Sequence, residues 1–354
     1  MTGQIVAGGM LTCPAPYTAS DRVLLGHGSG GKMSAALLKE RFFPYLANPA
    51  LNRLGDAAVV GVEDSQIAIS TDTFVVSPLE FPGGNIGSLA VHGTLNDIAM
   101  MGARPLYLTA GFVLEEGLPL EILDRIVKAM GAAAAAAEVP LVAGDTKVVE
   151  RGKADGLFVN TTGVGLMQPG FHPAPDRAEP GDIVLVSGPL GRHGMAIMAA
   201  REGIAFETRI ESDSASLVPL VERLRKTVRG DVHVLRDPTR GGLASALNEI
   251  AAASGAGIEL DEAAIMVPAE VSAACDMLGL DPLYVANEGV LTAIVPAAAG
   301  DAALASLRSH PLGAAAACVG RVVRGHPGLV VLRTGIGGTR IVDLLPGDQL
   351  PRIC

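Results

Sequence analysis

Leu106-Tyr107-Leu108-Thr109-Ala110-Gly111-Phe112-Val113-Leu114, then Pro119–Glu138, then Val139-Pro140-Leu141-Val142-Ala143, is the stretch that decides the fold. Its first and last pieces are short apolar runs bounded by turn residues, which is how strands read. Between them Ile122, Leu123, Ile126, Met130, Ala133, Ala134 and Ala137 recur at three-and-four spacing behind a proline, so one face of a helix is apolar. The alanine run 132–137 prolongs that helix through its high intrinsic propensity. A strand, a helix and a second strand in series predict sheets covered by helices.

The alternation continues in both directions. Further strands are expected at Gln66–Thr71 and Leu157–Leu166, and helical stretches at Met33–Phe43 and Ile86–Met101. The proline-rich run Gln168-Pro169-Gly170-Phe171-His172-Pro173-Ala174-Pro175 then separates a second half. That half restarts with a strand at Asp182–Ser187, continues with helices near 192–203, 214–229 and 242–254, and has strands near 283–295, 317–324, 329–334 and 338–343. The expectation is an α/β (α+β) chain with mixed sheets in two domains, 21–168 and 176–345. An unpatterned leader (1–20) precedes them, and a mobile tail (346–354) follows.

Composition sets the class. The 354 residues are 49% hydrophobic and 18% charged but only 3% aromatic, which implies large aliphatic cores. The net charge of −10 argues against nucleic acid or an anionic membrane as partner, since phosphate backbones need a basic stripe. Cys13, Cys275, Cys318 and Cys354 are scattered without zinc spacing, so a reducing compartment is expected. The first charged side chains are Asp21 and Arg22, no basic flank precedes an apolar core, and no run reaches the ~20 apolar residues of a membrane span. A cytoplasmic protein is expected.

Two features carry chemistry. Gly26-His27-Gly28-Ser29-Gly30-Gly31-Lys32 leads into a helix, and glycines let backbone amides turn toward an anion while the helix start adds a favourable dipole. The spacing matches neither a P-loop nor a dinucleotide fingerprint, so a plain turn is the alternative. The second feature is a set of aspartates at strand ends: Asp56, Asp72, Asp145 and Asp237, with Asp97 inside a helix. Asp97 shares the face of Ile86, Ala90 and Gly93, and a buried carboxylate costs several kcal/mol unless it meets a cation. Each aspartate alone also reads as a turn or cap residue. Together with the glycine loop they point to a magnesium–nucleotide site, with Lys147 placed to reach a phosphate. Glu288, between apolar segments, reads as a turn residue or a general base. The chain ends Pro351-Arg352-Ile353-Cys354. A thiol on a terminus reads as an incidental surface group or a working sulfur.

The loop His27–Gly31, the segment from Ser77-Pro78 through Phe81-Pro82-Gly83-Gly84 to Gly93-Thr94-Leu95-Asn96-Asp97, Gly144-Asp145-Thr146-Lys147, Asp237-Pro238-Thr239-Arg240-Gly241-Gly242 and the final Pro-Arg-Ile-Cys together resemble the HypE family of hydrogenase maturation factors. The aspartate motifs alone would indicate only the wider superfamily of aminoimidazole ribonucleotide synthetase, thiamine-monophosphate kinase and selenophosphate synthetase; the terminal cysteine singles out HypE. The resemblance runs from about residue 22 to the end, leaving the leader and Cys13 unassigned.

What the resemblance implies is a subunit whose N-terminal sheet pairs across a homodimer and binds ATP and Mg2+. A carbamoyltransferase, HypF, loads a carbamoyl group on Cys354; ATP drives its dehydration to a thiocyanate; the cyanide passes to iron held by HypC and HypD. It also implies ATP and phosphate contacts at His27, Gly28, Ser29, Gly30, Gly31, Asn96, Asp97, Thr146 and Asp237. Metal contacts are implied at Asp56, Asp72, Asp97 and Asp145, and catalytic roles for Cys354, Glu288 and Lys147. The rival readings are a superfamily kinase or ligase acting on a free small molecule, which needs no terminal thiol, and a non-catalytic maturation scaffold.

Overall fold

The computed structural model describes residues 23–28, 31–203, 210–345, 347, 350 and 352–354. The leader with Cys13, and Ser29 and Gly30 of the glycine loop, lie outside the described residues.

In chain order the elements are α1 (Lys32–Leu37), α2 (Phe43–Leu46), β1 (Ala58–Val62), β2 (Ser65–Phe74), β3 (Glu80–Phe81), β4 (Gly84–Asn85), α3 (Ile86–Met100), β5 (Ala103–Glu115), α4 (Leu120–Ala136), β6 (Leu141–Val149), β7 (Leu157–Met167), β8 (Asp182–Val186), α5 (Arg192–Glu202), α6 (Val218–Thr227), β9 (Val234–Arg236), α7 (Gly242–Ser254), β10 (Gly257–Asp261), α8 (Ala269–Leu278), β11 (Thr292–Pro296), α9 (Ala297–Arg308), β12 (Ala317–Val323), β13 (Val330–Arg333) and β14 (Thr339–Val342). The expected helix over 33–43 is broken into α1, a π-helical turn at Leu38–Phe42, and α2.

The N-terminal sheet runs β1-β2-β7-β5-β6, with β5 and β6 parallel and the other pairs antiparallel. Strand β7 alternates strictly: Leu157, Val159, Thr161, Gly163, Gly165 and Met167 are buried, and the residues between them are half-buried. This is the pattern of a sheet covered on one face. Helix α3 lies on the covered face so closely that a Cβ on Gly163 would stand 2.8 Å from the Thr94 side chain. The capping box of Asn85 and Ser88 fixes where α3 starts. Strand β6, by contrast, is exposed along nearly all its length.

The second sheet runs β14-β13-β10-β12-β8-β11-β9. Helix α7 packs Leu243, Leu247 and Ile250 against Val184 and Val186 of β8 on one face. Leu220 and Leu224 of α6 and Ala303 of α9 meet Leu185, Ala293 and Val295 on the other. The strand expected over 283–295 is shorter than its apolar pattern suggests, because 282–284 form a 3-10 turn and only Thr292–Pro296 joins the sheet. Asn287 holds the intervening loop: its side-chain nitrogen donates to the carbonyls of Pro238 and Val285, and its oxygen accepts from the Gly191 amide. Met195 and Ile197 of α5 share one core with Phe74, Val76 and Phe81, which closes the two sheets around a cleft.

Candidate functional site

The cleft holds a cavity of about 240 Å³ lined by Asp56, Thr71, Asp72, Gly93, Asp97, Arg236, Asp237, Thr239, Arg240, Glu288 and Cys354. Six segments supply these residues, the tail with Cys354 among them. Asp56 precedes β1, Asp72 sits near the end of β2, and Asp97 is on the last turn of α3. Asp237 to Arg240 form the loop after β9, which turns into α7 through Gly241 and Gly242. Both of these glycines have positive φ (76° and 60°), the region where glycine is at home. Glu288 belongs to the loop that Asn287 anchors.

One carboxylate oxygen from each of Asp56, Asp97 and Asp237 lies within 4.8 Å of the others, a hard-oxygen donor set suited to a divalent cation. Burial dominates their electrostatics. It lifts Asp56 to about 7 against the pull of Arg236, whose guanidinium is 2.8 Å away. It lifts Asp237 to about 6, again against Arg236. Asp97 is driven well above the usual carboxylate range by burial and by the charges of Asp237, Asp72 and Asp56, although Ser70 Oγ donates to it at 2.6 Å. Glu288 is likewise raised well above its usual range, by burial first and then by Asp237, Asp72 and Asp213. Burial thus raises the proton affinity of all four acids, and a bound cation would oppose that rise.

Two cations stand among these acids. Arg236 bridges Asp56 and Glu249. Arg240 is raised by the negative charge of Cys354, then by Asp72, Glu288 and Asp97 once burial is offset, and its Nη1 donates to the Gly28 carbonyl at 3.3 Å. That bond brings Gly28 beside a residue that lines the cavity. Nearby, Lys32 pairs with Asp343 at 2.6 Å, and its backbone amide donates to the Leu345 carbonyl.

Cys354 reaches the cavity because the tail is seated in the cleft. Val75 N donates to Cys354 O (3.1 Å) and Ser77 N to Arg352 O (3.2 Å). Leu350 and Ile353 are 5% and 4% exposed, inside the core shared by the two sheets.

The structure therefore brings together Asp56, Asp72, Asp97, Asp237, Glu288 and Cys354, with Gly28 alongside. His27 Nδ1 accepts from the Leu24 amide at 2.8 Å, and Gly31 is buried ahead of α1. Other expected residues stand elsewhere. Asn96 spends both ends of its amide on the 215–217 segment, donating to Ala215 O and accepting from Leu217 N. Asp145, Thr146 and Lys147 are on exposed β6, separated from β2 by β7 and β5. There Lys147 pairs with Asp145 at 2.7 Å, and Asp145 is lowered by that bond. Sequence reasoning missed Arg236, Arg240, Thr71 and Thr239. The signal for the first two was present: a short apolar strand running into arginine, aspartate and a second arginine around one turn.

Residues 54–167 match the family model of the AIR synthase related protein N-terminal domain, and residues 179–332 that of its C-terminal domain. The carbamoyl dehydratase HypE of Cupriavidus necator is 54% identical over 336 residues, covering 95% of each chain. This chain belongs to the HypE family. Two solved HypE structures agree with the fold. The chain in a HypE–HypF complex superposes with a TM-score of 0.83 at 46% identity, covering 88% of this chain and all of that one. A HypE in complex with ATP does so at 0.79 and 50% identity, covering 94% of this chain and all of that one. Among the described residues no helix is long and apolar enough to cross a membrane.

Proposed function

We propose that this chain is an ATP-dependent carbamoyl dehydratase that acts on its own terminus, converting an S-carbamoyl group on Cys354 to a thiocyanate. One observation carries the reading: the terminal residue lines the same cavity as Asp56, Asp72, Asp97, Asp237 and Glu288. A small-molecule kinase would have no use for a chain end in that place. In the reaction the carbamoyl oxygen attacks the γ-phosphorus and ADP leaves. The C–O bond then breaks as phosphate departs, the nitrogen gives up both protons, and the C≡N bond remains. Phosphorylation turns a poor leaving group into a good one.

The chain's residues divide this work. Asp56, Asp97 and Asp237 fit a magnesium ion by donor chemistry and spacing. When bound, the ion supplies neutralising charge to the phosphates. Asp72 stands beside this set as a further ligand. Arg240 offers a guanidinium to the oxygens of the carbamoyl or phosphoryl group. Glu288 is assigned as the proton acceptor for nitrogen because it lines the same cavity as Cys354. His27, Gly28, Ser29, Gly30 and Gly31 are the residues assigned to receive the phosphates, with Gly28 held to Arg240 beside the cavity. HypF supplies the carbamoyl group, in keeping with the HypE–HypF complex of a relative, and HypC–HypD accepts the cyanide.

Lys147, Thr146 and Asp145 enter through a homodimer. Strand β6 is an exposed edge carrying Val142 and Val148, beside exposed Tyr107 and Val113 of β5. Such an edge is normally covered. Pairing it with a second subunit would carry Lys147 toward the partner's nucleotide. The test is Cys354→Ala: ATP binding should persist while thiocyanate formation stops, and a cyanated product from that variant would sink the reading.

A further inference from the structure

The last three residues pair antiparallel with segment 75–77, one register step beyond β2: Val75 N donates to Cys354 O and Ser77 N to Arg352 O, while Arg352 Nε returns a bond to Val75 O at 3.0 Å. Between these rungs the Ile353 carbonyl faces away from segment 75–77 and needs another donor. His193 Nε2 supplies it at 2.6 Å. Arg201, on the same helix α5, donates through Nη2 to the Arg352 carbonyl (2.7 Å) and through Nε to the Ser77 carbonyl (2.9 Å), tying the two segments together.

His193 is built for that one bond. It is fully buried, and burial lowers its affinity for protons to about 4, so at neutral pH the ring is uncharged. An uncharged imidazole has one N–H, and the neighbour of the other nitrogen decides which. Nδ1 lies 2.8 Å from Ser212 Oγ, which also accepts from the Ser214 amide at 3.0 Å, while the Ile353 carbonyl at Nε2 can only accept. The serine hydroxyl therefore donates to Nδ1, and the imidazole proton sits on Nε2, facing Ile353. Phe81 meets the ring edge-on at 5.6 Å and fixes its plane.

We propose that His193 and Arg201 are positioning residues that clamp the terminal peptide inward and thereby set the share of chains presenting Cys354 to the acidic cavity. This rests on the reading that Cys354 carries the reacting group. The clamp grips main-chain carbonyls, so it is indifferent to what the sulfur carries. A few bonds and two buried side chains give a hold that can be released when the thiol must be reloaded outside the cleft.

The experiment uses the full chain as wild type, His193→Ala, Arg201→Ala and His193→Gln, the last keeping a side-chain N–H donor near Nε2. Two rates are read: alkylation of Cys354 by iodoacetamide, followed on the peptide beginning at Asp348, and amide exchange of the segment containing Val75 and Ser77. ATP affinity is measured alongside. The clamp predicts that each alanine variant alkylates and exchanges about tenfold faster or more, the scale of one buried hydrogen bond, with ATP affinity unchanged and His193→Gln restored toward wild type. Unchanged rates in both alanine variants overturn it. So does a glutamine variant no better than alanine, or a faster rate that comes only with lost ATP binding, since either marks a merely structural histidine. Neither rate requires turnover. Faster alkylation with no thiocyanate from wild type would leave the clamp standing and remove the proposed reaction; the reverse result would do the opposite.

Discussion

Replacing Arg236 by Met perturbs the cavity's charge balance at its centre. The guanidinium pairs with Asp56 and Glu249, and its side chain is only 16% exposed. With Arg236 in place, Asp56 already sits at about 7 and Asp237 at about 6, both above the ordinary 3.8, and Arg236 is the chief influence holding each down. For groups raised in the folded state, the stabilisation they give is whole at low pH and is lost as pH rises through the folded value. In the variant both values move higher, so stability keeps falling after the wild type has levelled off. The difference opens near pH 6 at about 1.4 kcal/mol per pH unit from Asp237, and near pH 7 it steepens to about 2.7 as Asp56 joins. By about pH 8 the two add to about 4 kcal/mol, in line with the ~3–5 expected for breaking a buried pair. Below pH 6 only lost contacts remain, about 1–2 kcal/mol. Urea denaturation of both proteins at about pH 5.5, 7 and 8 reads this directly. A difference that is flat across that range would refute the electrostatic account.

Three further outcomes follow from the same geometry. Ile353→Ala should weaken tail seating by about 2 kcal/mol or more, raising the alkylation rate of Cys354 about 30-fold while leaving the urea midpoint nearly unchanged. His193 and His92 are both lowered by burial from 6.5 to about 4, so the unfolded chain binds protons that the folded chain refuses. Stability is full above pH 6.5 and falls by about 3 kcal/mol per histidine as pH drops toward 4, a loss that His92→Gln should reduce in denaturation curves. If Lys147 serves the partner's nucleotide, mixing Cys354→Ala with Lys147→Ala subunits should recover turnover that neither variant shows alone, and an inactive mixture would place Lys147 elsewhere.

Much of this was legible from local pattern. The helix Leu120–Ala136 and the strands flanking it follow from apolar spacing alone, while Asp97, on the face it shares with Ile86, Ala90 and Gly93, is half-buried at the cavity rather than fully enclosed. Strands β1, β9 and β10 and helices α8 and α9 were not read, because short or alanine-rich segments carry little periodic contrast. The strand expected over 283–295 shows the limit of apolar runs, since Asn287 and Glu288 are buried polar residues, the Asn287 side chain bonding Gly191 and Pro238 and the Glu288 amide bonding Asp213. The grouping of Asp56, Asp72, Asp97, Asp237 and Glu288 was anticipated only as a set of suspicious acids. Which of them meet depends on how the two sheets close. Asp145 and Lys147 look the same in sequence, yet stand on the opposite edge of the sheet. The roles of His193 and Arg201 had no sequence signal, because both are defined by main-chain carbonyls of a tail far away in the chain.

The most direct measurement is mass spectrometry of the terminal peptide after incubating the chain with HypF, carbamoyl phosphate and magnesium–ATP. The account predicts that Cys354 first gains one carbamoyl group and then, only with hydrolysable ATP, loses one water. A terminal peptide that stays unmodified, or that keeps its carbamoyl group while ATP is consumed, would contradict it.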